Sequence, residues 1–378
     1  MVPLPKDLAS STAQAPGASG AESGASSGSQ ADLLQAGSGR QAEELEALQR
    51  QCAQYRDNCV NLRKRLDRSN RELEKLRKKS LRYRMERWFK PKLGVLVQHR
   101  PRPLHVPRHY HAPRALGQPP VISIVTPSFM QAEFLEGTLQ SVLNQGYPRL
   151  EFIVQDGGST DGSAAIIERY QDRLKHGASA KDRGQAHALN LGFAHATGEI
   201  MGYLNSDDLL LPGALAYVAA YFEAHPLVDA VYGQRVIVNH SGAEIGRWVL
   251  PAHDDAVLPW VDYIPQETLF WRRRIWERTG GRADEAFQFA LDWDLLLRFR
   301  QAGAKFACLP RFLGAFRHHP LQKTTSQYEE TGLKEINILR ERYLGRVPTG
   351  EEIAKQIRGY LLRHVIRNRL YEWGLLKL

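Results

Sequence analysis

Residues 199–208 read Glu-Ile-Met-Gly-Tyr-Leu-Asn-Ser-Asp-Asp. A short apolar run suited to a buried strand stops at two adjacent carboxylates, Asp207 and Asp208. Two like charges that close repel, and each resists loss of water. A divalent cation relieves both, because hard cations take oxygen ligands, and a cation there can in turn hold a diphosphate. The same residues would also serve as a solvated turn opening the helix that Pro212 begins.

Working outward, Val121–Thr126 and Leu150–Gln155 are two more apolar, β-rich runs. Helical spacing follows each strand, over Ala132–Asn144, Ala164–Tyr170 and Gly184–Ala196. Strands alternating with helices predict a doubly wound α/β domain. Ligands in such sheets bind beyond the carboxyl ends of the strands. All three strands place polar residues there: Thr126-Pro127-Ser128, Asp156-Gly157-Gly158 and Asn205-Ser206-Asp207-Asp208. A helix after Pro212 to about Ala224 and strand-like runs over Asp229–Val238, Glu244–Leu250 and Arg311–Phe316 are expected next. The 229–250 runs suggest antiparallel additions to the sheet.

Other groups fit a site at that edge. Asp156 can accept hydrogen bonds from a nucleobase or a ribose, and the glycines after it, Gly158 included, allow close approach of a ligand. Arg183, in Lys181-Asp182-Arg183-Gly184-Gln185, suits a phosphate. Asp292 and Asp294 open a helix. One of them facing a hydroxyl would act as a general base, and the other would cap. His318 and His319 follow a strand and can meet a metal or a phosphate. Trp271, Trp276 and Trp293 can form an aromatic platform for a ligand.

The basic balance is local. Residues 41–120 hold 20 Lys and Arg against eight Asp and Glu, whereas 121–378 hold 29 against 30. A neutral main body gives little support to nucleic-acid binding. Residues 1–40, rich in Ser, Gly and Ala, are expected to be disordered. Leu45, Leu48, Cys52, Tyr55, Cys59, Leu62, Leu66, Ser69, Leu73 and Leu76 alternate at spacings of three and four, a heptad seam that predicts a coiled coil and a homo-oligomer. Basic residues with Trp88 and Phe89 suit an anionic membrane surface over 77–98. Residues 93–120 read as a Pro-rich linker, and 331–378 as basic helices. No apolar run approaches the ~20 residues of a membrane span. The three cysteines lack metal spacing, which suits a reducing cytoplasm.

From Val121 to about Thr325 the chain resembles the family 2 glycosyltransferases, inverting enzymes of the GT-A fold. The resemblance is carried by Ile122-Ser123-Ile124-Val125-Thr126-Pro127-Ser128-Phe129, Leu139-Gln140-Ser141-Val142-Leu143-Asn144-Gln145, Gln155-Asp156-Gly157-Gly158-Ser159-Thr160-Asp161-Gly162-Ser163 and Asp182-Arg183-Gly184-Gln185. It continues through Leu204-Asn205-Ser206-Asp207-Asp208, Asp292-Trp293-Asp294-Leu295 and Arg317-His318-His319-Pro320. It implies a nucleotide-diphosphate sugar donor, an acceptor hydroxyl on a glycan or lipid-linked glycan, and a divalent metal, Mn2+ or Mg2+. It also implies a donor pocket lined by Thr126, Pro127, Ser128 and Phe129, with Asp156 at the base and Asp182, Arg183 and Gln185 helping to bind the nucleotide. Asn205 and Asp207 belong to the DxD-type motif, with Asp208 and His319 as metal ligands and Asp292 as the base. This chain has Leu291 where the family usually has Glu. The Gln-x-x-Arg-Trp motif of processive synthases is missing after Asp292, so addition of a single sugar is expected. The alternative is an inactive GT-A scaffold oligomerised by its coiled coil.

Overall fold

In the computed structural model, residues 91–112, 117–320, 322 and 331–378 are described. The expected disordered stretch, the heptad seam and the basic run up to Lys90 lie outside them. The described strands form one mixed sheet in the order β3-β2-β1-β4-β8-β6-β9-β5, with β7 beside β6. β1 (Ile122–Ser128), β2 (Leu150–Asp156), β3 (His176–Ser179) and β4 (Ile200–Tyr203) are parallel, with β1 central. Every residue of β1 is buried, as expected of a strand covered on both faces.

The second half of the sheet mixes directions. β8 (Phe270–Arg272) runs antiparallel to both β4 and β6 (Ala230–Asn239), and β6 is parallel to β9 (Phe306–His318). β5 (Leu209–Leu210) and β7 (Glu244–Trp248) add antiparallel edges. Three of these elements escape a reading by pattern. β3, β5 and β8 span four, two and three residues, too short for an alternation to register.

Helices cover both faces. On one, α1 (Ala132–Leu143), α2 (Ser163–Tyr170) and α4 (Ala214–Ala224) share a core with Ile122, Ile124 and Phe152. On the other, α3 (Gln185–Ala194), α5 (Arg273–Arg278) and α6 (Leu291–Gln301) pack with Val125, Ile153 and Trp271. The alternation Ile124, Val125 divides the two cores because successive strand side chains point to opposite faces. Gly192 sets the approach of α3. A Cβ there would lie 2.5 Å from a methyl of Val125.

α7 (Leu333–Leu344) and α8 (Gly350–Glu372) follow. α8 begins with a capping box, in which the Thr349 hydroxyl accepts from the Glu352 amide and the Glu352 carboxylate accepts from the Thr349 amide. Its inward face buries Tyr360, His364, Val365 and Asn368. The Pro-rich stretch is extended and lies against the domain. The Gln98 amide donates to the Ile245 carbonyl, and Arg102 and Glu244 exchange backbone bonds of 3.1 and 2.8 Å. Glu244, buried under this strap, accepts from the guanidinium groups of Arg102 and Arg247.

Candidate active site

The run that opened the sequence reading ends as expected, with a turn after β4. Thr138 of α1 places its hydroxyl 2.8 Å from the carbonyls of both Ser206 and Asp208, so the helix holds the turn from below. β9 holds it from the side. The Arg317 amide donates to Asp208 Oδ1 at 2.9 Å, and the Arg317 Nε donates to the Asp207 carbonyl at 2.9 Å. Two residues on, His319 Nε2 lies 3.0 Å from Asp207 Oδ2. The ring of Phe134 packs against His319, and the Arg317 guanidinium lies over the same ring.

The two aspartates therefore differ. Asp208 is buried, and its carboxyl is held well above the ordinary range, first by desolvation and then by the charges of Asp207 and Glu267. Asp207 is partly open and shares its oxygen with an imidazole. Among the described residues no three His, Cys, Asp or Glu side chains are gathered as a ready cage. The donor set nevertheless suits a divalent cation of the kind bound through one or two carboxylates plus substrate phosphates. Adjacent carboxylates, one of them desolvated with its charge uncompensated, are what such a cation relieves.

The other wall comes from residues that no periodicity marks. Glu267, in the short 310 turn Gln266–Thr268, is buried and accepts two bonds from Arg235 of β6, at 2.8 and 2.6 Å. The Arg235 guanidinium lies over the rings of Trp248 and Phe316. Tyr203 ends β4, and its hydroxyl is pushed up by burial and then by the charges of Asp292, Asp262 and Asp208. Three carboxylates from three segments thus act on one buried hydroxyl. Asp292 is raised, chiefly by desolvation, while the Trp293 amide and Arg235 pull it back. Asp262 is raised by desolvation and then by Asp292, although the residue as a whole is exposed to solvent.

The helix of Asp292 also separates it from Asp294. The Asp294 carboxylate is buried and accepts from Arg298 at 2.7 Å and Arg342 at 3.2 Å. It anchors α6 to α7, whereas the Asp292 carboxylate accepts the Trp293 amide. Of the histidines, His319 joins the aspartate turn and His318 does not.

Asp156 lies two strands from β4, roughly 10 Å along the sheet. Its carboxylate is buried and accepts from the Gly158 amide, the Ser159 amide and hydroxyl and the Ser179 hydroxyl. Four donors occupy a carboxylate's usual capacity, so in this conformation Asp156 organises the turn that a ligand would meet. Asp182 faces that turn closely: a Cβ on Gly157 would sit 2.9 Å from Asp182 Oδ2. The hydroxyls of Thr126 and Ser128 are buried at the end of β1 without a hydrogen-bond partner. Phe129 is exposed beside them. Gln185 donates to Asn205, which donates to Gln266, which donates to the Tyr203 carbonyl. This relay ties the start of α3 to the aspartate turn. Arg183 forks onto Glu285 at 3.1 and 2.7 Å. An exposed pair of this kind is weak, so a phosphate can replace it.

The tryptophans correct an expectation. Trp271 is fully buried against Phe193, Trp276 and Phe299, and Trp293 is buried with its indole N–H donated to the Leu258 carbonyl. Neither forms a platform, because both belong to the core behind the sheet. Asp262, Glu267 and Arg235 were not among the residues expected from sequence. The Pro265-Gln266-Glu267 run was their only signal, a charge inside an otherwise apolar stretch.

Residues 123–306 match the family model described as glycosyl transferase family 2. The chain is 33% identical over 192 residues to the O-antigen biosynthesis protein RfbC of Myxococcus xanthus, covering 50% of this chain and 15% of that one. It is 27% identical over 250 residues to a PGL/p-HBAD biosynthesis glycosyltransferase of Mycobacterium bovis, covering 65% and 90%. Among solved structures, S. aureus TarS 1–349 in complex with UDP-GlcNAc aligns with a TM-score of 0.51 at 18% identity, over 68% of this chain and 75% of that one. The domain belongs to family 2 of the glycosyltransferases and has the GT-A fold. Among the described residues no helix is long and apolar enough to cross a membrane.

Proposed function

We propose that the protein is an inverting, metal-dependent glycosyltransferase that moves one sugar from a nucleotide-diphosphate donor to an acceptor hydroxyl. The observation that carries this reading is the aspartate turn at the carboxyl end of β4, where the Arg317 amide holds Asp208 and His319 meets Asp207. An acidic recess at that edge is where a GT-A sheet binds its ligands.

The donor base and ribose lie against the turn that Asp156 organises, with Thr126, Pro127, Ser128, Phe129 and Asp182 around them. The unpartnered hydroxyls of Thr126 and Ser128 favour a polar ligand there. Arg183 exchanges Glu285 for a donor phosphate, and Gln185 and Asn205 fix the loop beneath the sugar. Asp207, Asp208 and His319 would hold a divalent cation, Mn2+ or Mg2+, which neutralises the charge that grows on the leaving diphosphate. Asp292 takes the proton of the acceptor hydroxyl as that oxygen attacks the anomeric carbon from the face opposite the diphosphate. Its raised pKa makes it a stronger base than an ordinary carboxylate. Placement of donor and acceptor in line supplies much of the rate.

RfbC is named for O-antigen biosynthesis, which favours a surface polysaccharide or a lipid-linked glycan as acceptor. We further propose the organisation 1–40 disordered, 41–92 coiled coil and basic helix, 93–120 linker, 121–330 catalytic and 331–378 C-terminal helices. The seam over 45–76 makes a homo-oligomer, and the enzyme works in the cytoplasm at the inner face of a membrane. The experiment is donor hydrolysis and transfer with Mn2+ across nucleotide sugars. Absence of turnover with every donor, or full turnover by Asp292→Asn, would overturn the reading.

A further inference from the structure

α6 carries Asp292 in its first turn, and its own sequence gives that turn little to hold it. Its N-cap residue is Ala290, which makes no side-chain capping bond, and alanine is a poor cap because it has no oxygen to offer the orphan amides. The chain leading into the helix, residues 279–290, forms neither helix nor strand. Three consecutive amides there are nevertheless satisfied. The Gln288 amide donates to Glu335 Oε1 at 2.9 Å, and the Phe289 and Ala290 amides donate to Glu335 Oε2 at 2.8 and 2.9 Å. Glu335 stands in the first turn of α7, 45 residues beyond Ala290, and is buried. The start of α7 packs directly on the same segment: a Cβ on Gly332 would lie 3.0 Å from the Phe289 ring.

A buried carboxylate is costly unless its lone pairs are met, and here backbone amides meet them. Successive N–H groups turned to one side make a concavity for an anion. The same negative charge lies at the N-terminal ends of α6 and α7, where the helix dipoles favour it. α7 is tied to α6 a second time, by Arg342 on Asp294, but that contact joins side chains and holds the body of the helix. Glu335 holds main chain, and the last amide it holds is two residues before Asp292. It thereby fixes the path by which the chain enters α6. A reacting group must be held within about 0.5 Å of its productive place. An error of about 1 Å costs roughly 10²-fold in rate. Three ties to consecutive amides supply a precision that a helix capped by alanine lacks.

We infer that Glu335 is a positioning residue for sugar transfer: by holding the amides of 288–290 it fixes the start of α6 and, with it, Asp292. The inference rests on the reading of Asp292 as the base. The first test needs no donor. Hydrogen exchange read by mass spectrometry on the full chain compares the parent with Glu335→Gln, whose single side-chain carbonyl oxygen leaves at least one of the three amides unmet. Exchange over 288–294 quickens by about tenfold or more, while β1 and β2 keep the parent rates. The second test is donor hydrolysis with Mn2+, using whichever UDP-, GDP- or dTDP-linked sugar the parent turns over fastest. Glu335→Ala lowers kcat by about 10- to 10²-fold and leaves the donor KM within about threefold. Glu335→Gln shows a smaller fall of the same kind. In an Asp292→Asn background Glu335→Ala lowers kcat no further, because the group it positions is already gone, whereas a purely structural role lowers both backgrounds by one factor. Melting curves give the folded fraction by which each rate is divided, and Glu335→Gln carries both tests where Glu335→Ala does not fold. Unchanged exchange over 288–294, an unchanged kcat in the Glu335 variants, or an equal fall in the Asp292→Asn background overturns the inference. Full turnover by Asp292→Asn alone overturns the reading of the base, and the inference with it, and is told apart because Glu335 is intact in that variant.

Discussion

His319 Nε2 and Asp207 Oδ2 stand 3.0 Å apart although 112 residues separate them in the chain. The contact joins the end of β9 to the turn after β4, and it defines which aspartate of the pair looks outward. Asp207→Ala and His319→Ala each lower metal-dependent turnover, by about 10²-fold for the aspartate. Because the two act through one contact, the double variant should be little worse than Asp207→Ala alone. A double-mutant cycle in kcat/KM checks this, and simple additivity would argue against a shared role.

Asp292 and Asp294 separate by what each variant loses. Asp292→Asn lowers kcat by about 10² to 10⁴-fold with little change in melting temperature, as for loss of a general base. Asp294→Asn leaves Arg298 and Arg342 without their buried partner. It lowers stability by about 2 kcal/mol, and kcat/KM of the folded fraction stays near the parent value. Thermal melts alongside steady-state kinetics distinguish the two.

Asp292 acts on Asp262 as a like charge. Burial, with a further push from the charge of Glu267, holds Asp292 above the ordinary carboxylate range, so the acidic limb of the rate profile lies higher than that of an isolated carboxyl. Asp262→Asn removes the repulsion and moves that limb to lower pH. The measurement is kcat/KM against pH. A limb that stays in place would exclude the pairing, because Asp292 would then titrate without feeling Asp262.

Trp271→Ala removes a fully buried indole and is expected to destabilise by about 3–5 kcal/mol. Trp271→Phe is milder, because the indole N–H is buried without a partner and its removal relieves that penalty. Neither change raises the acceptor KM selectively. Chemical denaturation and acceptor titration together check both statements.

His364 donates through Nδ1 to the Val249 carbonyl and accepts two amides at Nε2, which requires the neutral ring. Burial, and then Lys92, lowers its pKa below the ordinary 6.5. A depressed folded pKa means that the unfolded chain binds the proton first. The stabilisation is therefore complete above about pH 6.5 and is lost as pH falls through the lowered folded value. Melting temperature should drop across that window, and His364→Gln should flatten the drop.

The parallel half of the sheet was legible because β1, β2 and β4 are apolar runs that stop at polar clusters. Asp207, Asp208 and Asp292 were legible because carboxylates at such stops are hard to explain by packing alone. Asp262 and Glu267 were not, because they sit in and beside a short 310 turn where charge has no period, and Arg235 was not, because a lone cation in a buried strand does not reveal its partner. Trp271 read as a surface aromatic because β8 is three residues long and leaves no alternation to assign its face. The seam over 45–76 and the basic run to Lys90 remain outside the described residues.

Arg317 reaches the aspartate turn with its own main chain, and that has a consequence for how this edge tolerates change. Substituting its side chain gives up the Nε bond to the Asp207 carbonyl but leaves the amide to Asp208 intact. Deleting a single residue upstream in β9 cannot be absorbed in this way. Each following residue would swap faces, Pro320 would take the place of His319, and the Arg317 amide would turn to the opposite edge of the strand. Length along this ribbon, more than side-chain identity, is what evolution or an engineer must preserve.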